Sequence, residues 1–156
     1  MINIKIRGYL PNDCERTAKL FFDTVHTINK ADYNEQQLYA WADGNIDLSE
    51  WNNSLLNHYS LVAHSNDVIV GFGDITSDGY LDRLYVHKDY QKMGIGRLIC
   101  DKLETSVSSA EITVHASITA KKFFEKREYK VIKENRVERH GIMLTNYIMT
   151  KILTDT

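Results

Sequence analysis

Helical periodicity marks the first third of the chain, segments of period two crowd its middle and end, and two further amphipathic stretches separate the later strands. Together these predict an α/β (α+β) domain, with a mixed, mainly antiparallel central sheet flanked by helices. A length of 156 residues suits a single domain over residues 1–156, and two of ordinary size would be crowded.

Ile2 to Arg7 alternates apolar and polar residues, as a half-buried strand does. Pro11-Asn12-Asp13 supplies turn chemistry and a cap for the next helix. From Cys14 to Ile28, the residues Ala18, Phe21, Phe22, Val25 and Ile28 recur at helical spacing. Two shorter helices are expected at 34–42 and 49–57, separated by the turn Asp43-Gly44-Asn45. The period then changes. Stretches 60–64, 68–75 and 80–86 read as strands joined by Ser65-Asn66-Asp67 and Ser77-Asp78-Gly79. Ile95 to Val107 returns to helical spacing, with Ile95, Leu98, Ile99, Leu103 and Val107 on one face. A short strand at 111–115, a helix at 119–127 and an antiparallel pair at 129–138 and 142–152 complete the chain.

Composition excludes several function classes. The formal net charge of -2 leaves no basic surplus to grip a nucleic-acid backbone. No run approaches the roughly 20 apolar residues that cross a bilayer. The opening MINIKIRGYL lacks the apolar core and cleavage site of a secretory signal. Cys14 and Cys100 match neither a zinc spacing nor a disulfide framework, which fits a reducing compartment. The expectation is a cytoplasmic protein with no nucleic-acid or membrane partner. The six histidines form no metal-ligand pair in sequence, and no metal is expected.

The informative segment runs from Leu84 to Arg97. An apolar strand, Leu84-Tyr85-Val86, leads through a loop into Gln91-Lys92-Met93-Gly94-Ile95-Gly96 and then an amphipathic helix. Free N–H groups at a helix N-terminus favour an anion, and glycines there let a phosphate approach closely. A Walker loop would need Gly-Lys-Ser/Thr, and a dinucleotide fold would need a glycine where Ile99 stands. Neither fits. An isolated Gly-x-Gly reads more readily as tight helix–sheet packing.

The whole string resembles the coenzyme A loop of the GCN5-related N-acetyltransferase (GNAT) superfamily, Gln/Arg-x-x-Gly-x-Gly/Ala after a strand ending in apolar-x-Val. Downstream, Ser117-Ile118-Thr119-Ala120-Lys121-Lys122-Phe123-Phe124-Glu125-Lys126-Arg127-Glu128-Tyr129 is similar to that family's Asn-x-x-Ala-x-x-Phe-Tyr-x-x-x-Gly-Phe. It departs at Ser117, Phe124 and Glu128, where asparagine, tyrosine and glycine are usual. Strand order agrees along nearly the whole chain.

The resemblance implies the acyl-coenzyme A N-acyltransferase fold and acetyl transfer from acetyl-coenzyme A to the amine of a small molecule or peptide, by direct attack in a ternary complex. It places the coenzyme on Leu84, Tyr85, Val86, Gln91, Lys92, Met93, Gly94, Ile95, Gly96 and Arg97, with Ser117 and Phe124 nearby. Phe124 lacks the hydroxyl that many members use to protonate the departing thiolate. A non-catalytic acyl-coenzyme A sensor on the same fold is therefore the alternative.

Direct attack needs a base, because an alkyl amine is protonated below a pKa of about 10. Asp82 is the candidate. Strand parity sets it with Tyr80, Leu84 and Val86 on one face, although a surface ion pair would explain it equally. Tyr80, where other members carry a catalytic glutamate, is a candidate relay or a packing residue. Cys100, inside an amphipathic helix, reads as packed rather than nucleophilic. Tyr33, Trp41 and Trp51 fall where similar proteins build the acceptor pocket, and core packing explains the tryptophans at least as well. The resemblance also allows a homodimer, by edge pairing through the final hairpin.

Overall fold

The computed structural model describes residues 3–153. Ile2, the first residue of the first expected strand, lies outside them. Among the described residues, seven strands form one sheet: β1 (Lys5–Gly8), β2 (Tyr59–Ser65), β3 (Val68–Ile75), β4 (Tyr80–Val86), β5 (Glu111–Ser117), β6 (Lys130–Arg139) and β7 (Ile142–Ile152). Five α-helices flank it: α1 (Cys14–Thr27), α2 (Glu35–Trp41), α3 (Leu48–Asn57), α4 (Ile95–Thr105) and α5 (Lys121–Lys126). The spatial order is β1-β2-β3-β4-β5-β7-β6. Every neighbouring pair is antiparallel except β4 and β5, so the mixed, mainly antiparallel sheet expected from the sequence is present.

Each face of the sheet buries its own apolar layer. On one side, Ile95, Ile99, Cys100 and Leu103 of α4 and Phe124 of α5 pack on Leu61, Ala63, Val70, Leu81, Ile112 and Val114. Glycines 71 and 73 of β3 permit this approach. A Cβ on Gly73 would lie 2.9 Å from the Arg83 carbonyl oxygen and 3.1 Å from Ile99. Leu98, expected on the buried face of α4, is instead 41% exposed, because the helix turns its seam toward 95, 99 and 103. On the other side, α1 to α3 cover the sheet with Leu20, Val25, Leu38 and Leu55 against Val62, Phe72 and Leu144. The Asn34 side chain caps α2, accepting from the Gln37 N–H at 2.9 Å, and Asp47 does the same for α3 from Glu50.

Two buried carboxylates tie elements together. Asp13 binds both Arg7 and Arg16. Glu104 of α4 accepts from Arg127, Tyr129 and Lys151, joining α4 to the α5–β6 junction and to β7.

Candidate active site

Pairing between β4 and β5 is short. It joins Tyr80 to Thr113 and Leu81 to Val114, and beyond these residues the strands part. On its other edge β4 stays bonded to β3, where the His87 N–H reaches the Val70 carbonyl at 2.8 Å. Antiparallel alternation then makes Gly71–Val86 and Gly73–Leu84 non-hydrogen-bonded pairs. The main-chain polar groups of Leu84 and Val86 therefore turn away from β3 and into the gap.

A cleft of about 700 Å³ occupies the gap. Asp82, Leu84, Tyr85, Val86, all of Gln91 to Arg97, Ser117 and Phe124 border it. Tyr80 does not. Its ring stands edge-on to His115 at 5.2 Å, and its hydroxyl is pushed up chiefly by burial and further by the charges of Asp82 and Asp74.

The loop is shaped by its own side chains. The Gln91 side-chain amide donates to the Val86 carbonyl at 2.6 Å, closing the loop onto the strand end. Lys92 and Gly94 both take left-handed backbone, with φ of 61° and 83°. Gly94 is the N-cap of α4, and no side chain caps the first turn. The N–H groups of that turn consequently face the cleft mouth with the positive end of the helix dipole behind them. Gly96 has a second purpose: a Cβ there would lie 3.3 Å from the Phe123 ring. Packing and anion approach thus divide between the two glycines.

Strand parity does not hold at Asp82. Ile75 faces Leu81 and Asp74 faces Arg83, so Asp82 is an extra residue, a β-bulge in β4. The bulge breaks alternation: Leu81 joins Leu84 and Val86 in the layer under α4, and Arg83 and Tyr85 lie against the α1–α3 layer. Asp82 reaches the cleft because β5 has parted from it there, and it also lies 3.4 Å from Arg83. The surface ion-pair reading and the cleft reading are both realised in this one side chain.

Other candidates resolve cleanly. Ser117 Oγ accepts the Ala120 N–H at 3.0 Å, so its lone pairs serve the turn into α5 while its residue borders the cleft. Phe124 is buried edge-on between Phe123 and Tyr129. Cys100 is fully buried and its thiol is pushed up to about 12 by burial, which makes it a poor nucleophile. Of the three aromatics, only Trp41 borders the cleft. Tyr33 is a core tie, donating to the Thr145 carbonyl at 2.7 Å and accepting from the Ile118 N–H at 2.9 Å. Trp51 donates to Thr17 and stacks under the Arg83 guanidinium at 4.7 Å.

The sequence reading missed Thr24, Ile28 and Asn29, which also line the cleft. Thr24 falls within the apolar stripe of Phe21, Val25 and Ile28, and a polar residue inside such a stripe was the available signal. It also missed His58, which tertiary structure alone brings against Asp74 at 2.7 Å.

Known proteins share this fold and family. A model of the acetyltransferase (GNAT) domain matches residues 29–151. The uncharacterized N-acetyltransferase YafP of Escherichia coli (strain K12) is 38% identical over 149 residues, spanning 96% of each chain. A GCN5-related N-acetyltransferase crystal structure from Rhodopseudomonas palustris superposes with a TM-score of 0.92 at 34% identity, covering 98% of both chains. The PaiA N-acetyltransferase of Thermoplasma acidophilum, crystallised with coenzyme A, has the same fold at 17% identity, with a TM-score of 0.77 over 97% of this chain and 100% of that one.

Proposed function

Because this chain belongs to the GCN5-related N-acetyltransferase family, we propose that it transfers an acetyl group from acetyl-coenzyme A to the amine of a small molecule or peptide, by direct attack in a ternary complex. The observation that carries the proposal is the parted β4–β5 seam, which leads from the main-chain groups of Leu84 and Val86 to the uncapped first turn of α4. That the similarly folded protein from Thermoplasma acidophilum was crystallised with coenzyme A supports a coenzyme ligand here.

Acetyl-coenzyme A supplies an activated acyl thioester. The chain's own residues do the rest. Leu84 and Val86 hold an extended arm by strand-like pairing. The first turn of α4 and the 91–97 loop take the diphosphate, with Lys92 and Arg97 as exposed cations beside it. The Val86 N–H faces the gap and serves as donor to the developing oxyanion, a role worth about 3 kcal/mol. Asp82 receives the amine proton. Trp41, Tyr85 and Ile28 give the acceptor end an apolar and aromatic wall, suited to a compact primary amine. Phe124 offers no proton, so the thiolate leaves toward the α4 dipole. That same phenylalanine is what favours the sensor reading.

Titration calorimetry with acetyl-coenzyme A, followed by thiol release against 2-phenylethylamine, spermidine, kanamycin and a lysine peptide, tests the proposal. Micromolar binding with amine-dependent release supports it. In the Asp82→Asn variant, turnover should fall by about 10² or more with coenzyme affinity kept. Binding without release above hydrolysis for any amine supports the sensor instead, and failure to bind at millimolar concentration rejects both.

A further inference from the structure

Three carboxylates are almost wholly inaccessible: Asp13, Glu104 and Asp74. The first two are built for stability. Each has both oxygens occupied, Asp13 by Arg7, Arg16 and the Leu10 N–H, and Glu104 by Arg127, Lys151 and Tyr129. Asp74, 0% exposed in mid-strand, is different. Two cationic or ionisable partners, Arg83 and His58, crowd one oxygen, Oδ2, and no donor among the described residues reaches Oδ1. A buried carboxylate left half-bonded weakens a fold, and such groups gather where function requires them.

The surroundings of Asp74 give it a direction. Asp82, on the β4 bulge, borders the cleft and lies 3.4 Å from Arg83. Ligand-type atoms of His58, Asp74 and Asp82 all lie within 4.8 Å of one another. His58, at the C-terminal end of α3, retains 22% of its side-chain exposure. Arg83 is fixed between Asp74, Ser54 and the Trp51 ring. Its guanidinium contacts both Asp74 and Asp82, which makes the ensemble an ion network rather than a cation site. Asp82, at the cleft, and the partly exposed His58 ring are thus the two ends of one polar cluster built around the buried Asp74.

We propose that Asp74 and His58 are positioning and relay residues that carry the acceptor's proton from Asp82 to solvent. The proposal rests on the acetyl-transfer reading. An acceptor ammonium carries three protons on nitrogen and the amide product keeps one. Two leave the nitrogen; water returns one to the departed thiolate, since Phe124 supplies none, so one is released net. The N–H bond breaks as an O–H bond forms on Asp82, the proton passes to His58 with Asp74 orienting the imidazole, and His58 returns it to water. With His58 neutral the group is net negative, two carboxylates against Arg83, and accepts a proton. With His58 protonated the group is neutral and ready to release one. The charged and titratable groups near His58 are Asp74 from β3 and Asp82 and Arg83 from β4; the neighbouring Tyr80 hydroxyl feels these three and also Arg139 of β6.

Two measurements test this, one without catalysis. The His58 ring is assigned by NMR through its loss in His58→Gln and titrated in the unliganded protein. Asp82→Asn should move its midpoint about half a pH unit or more to lower pH, whereas Asp101→Asn, on the opposite side of the sheet, should not. In thiol release with 2-phenylethylamine, or with whichever amine of the panel turns over fastest, His58→Gln should lower kcat about tenfold near pH 7. KM for acetyl-coenzyme A should hold, and added imidazole should restore the rate. Asp74→Asn should show the same loss with weaker rescue. A His58 midpoint indifferent to Asp82→Asn overturns the relay whether or not any amine is acetylated. So does a His58→Gln enzyme with an unchanged pH profile and no imidazole response. If amines turn over normally in that variant, acetyl transfer stands and only the relay falls.

Discussion

Glu128 adopts left-handed backbone, with φ of 72°, a region that favours glycine. The Tyr129 N–H returns to the Phe124 carbonyl at 3.0 Å across this turn, closing α5 in a left-handed cap. An L-residue in that region costs about 1–2 kcal/mol, and glycine loses part of that gain to greater freedom when unfolded. Glu128→Gly should therefore raise stability by up to about 1 kcal/mol, read as a higher urea midpoint with an unchanged slope. Residue-scale legibility was uneven for a physical reason. Gly94 and Gln91 stood out in the sequence as parts of a phosphate-type loop, whereas the left-handed cap of the one and the clasp of the other onto Val86, five residues back, are seen only in the structure. Asp82 was expected at the cleft on strand parity, which fails there, since a bulge inserts a residue without any sequence mark and reverses the parity beyond it. His58 and Asp74, 16 residues apart and on different elements, have no local signature at all.

At the scale of elements, two glycines separate stability from binding. Ala at position 73 would drive its Cβ to 2.9 Å from a backbone oxygen of β4, which side-chain rearrangement cannot relieve. Gly73→Ala should cost about 1–3 kcal/mol in urea denaturation. Ala at position 94 meets only the Arg97 guanidinium, at 3.5 Å, an ordinary contact, but its φ of +83° is strained for any side chain. Gly94→Ala should distort the first turn of α4 and weaken acetyl-coenzyme A about tenfold in calorimetry, with a smaller loss of stability than Gly73→Ala. Helix α1 shows how element identity and element role differ in legibility. Its periodicity announces a buried face, yet that one face serves two ends: Leu20 and Val25 pack on the sheet while Thr24 and Ile28 border the cleft. Amphipathicity reports burial and is silent about whether protein or ligand does the burying.

For the whole molecule, acid response comes from the same carboxylates. Burial alone would lift Asp13 and Glu104. The Arg7 pairing and the Leu10 N–H for Asp13, and Arg127, Lys151 and Tyr129 for Glu104, outweigh that and hold both below the usual carboxylate range. A carboxylate depressed in the fold contributes stability above its unfolded pKa of about 4 and loses it as pH falls through the folded value. Asp74 has the opposite sign, because burial outweighs Arg83 and His58 and pushes it up. Its burden at neutral pH is relieved on acidification. Urea stability of the protein should hold near pH 6–7 and decline below about pH 4. Glu104→Gln, which strands Arg127, should lose about 3 kcal/mol at pH 7 and show a shallower decline in acid.

The sheet itself is two antiparallel halves, β1-β2-β3-β4 and β5-β7-β6, stitched by a single short parallel seam. Helix α4 and the Glu104 network bear much of the join. An extended ligand lying along the open part of that seam would act as an interposed strand, bonding one half through Leu84 and Val86 while resting against the other. Coenzyme occupancy would then do more than supply a reactant: it would suture the halves, and amide exchange along β5 and β4 should slow together when the carrier is added.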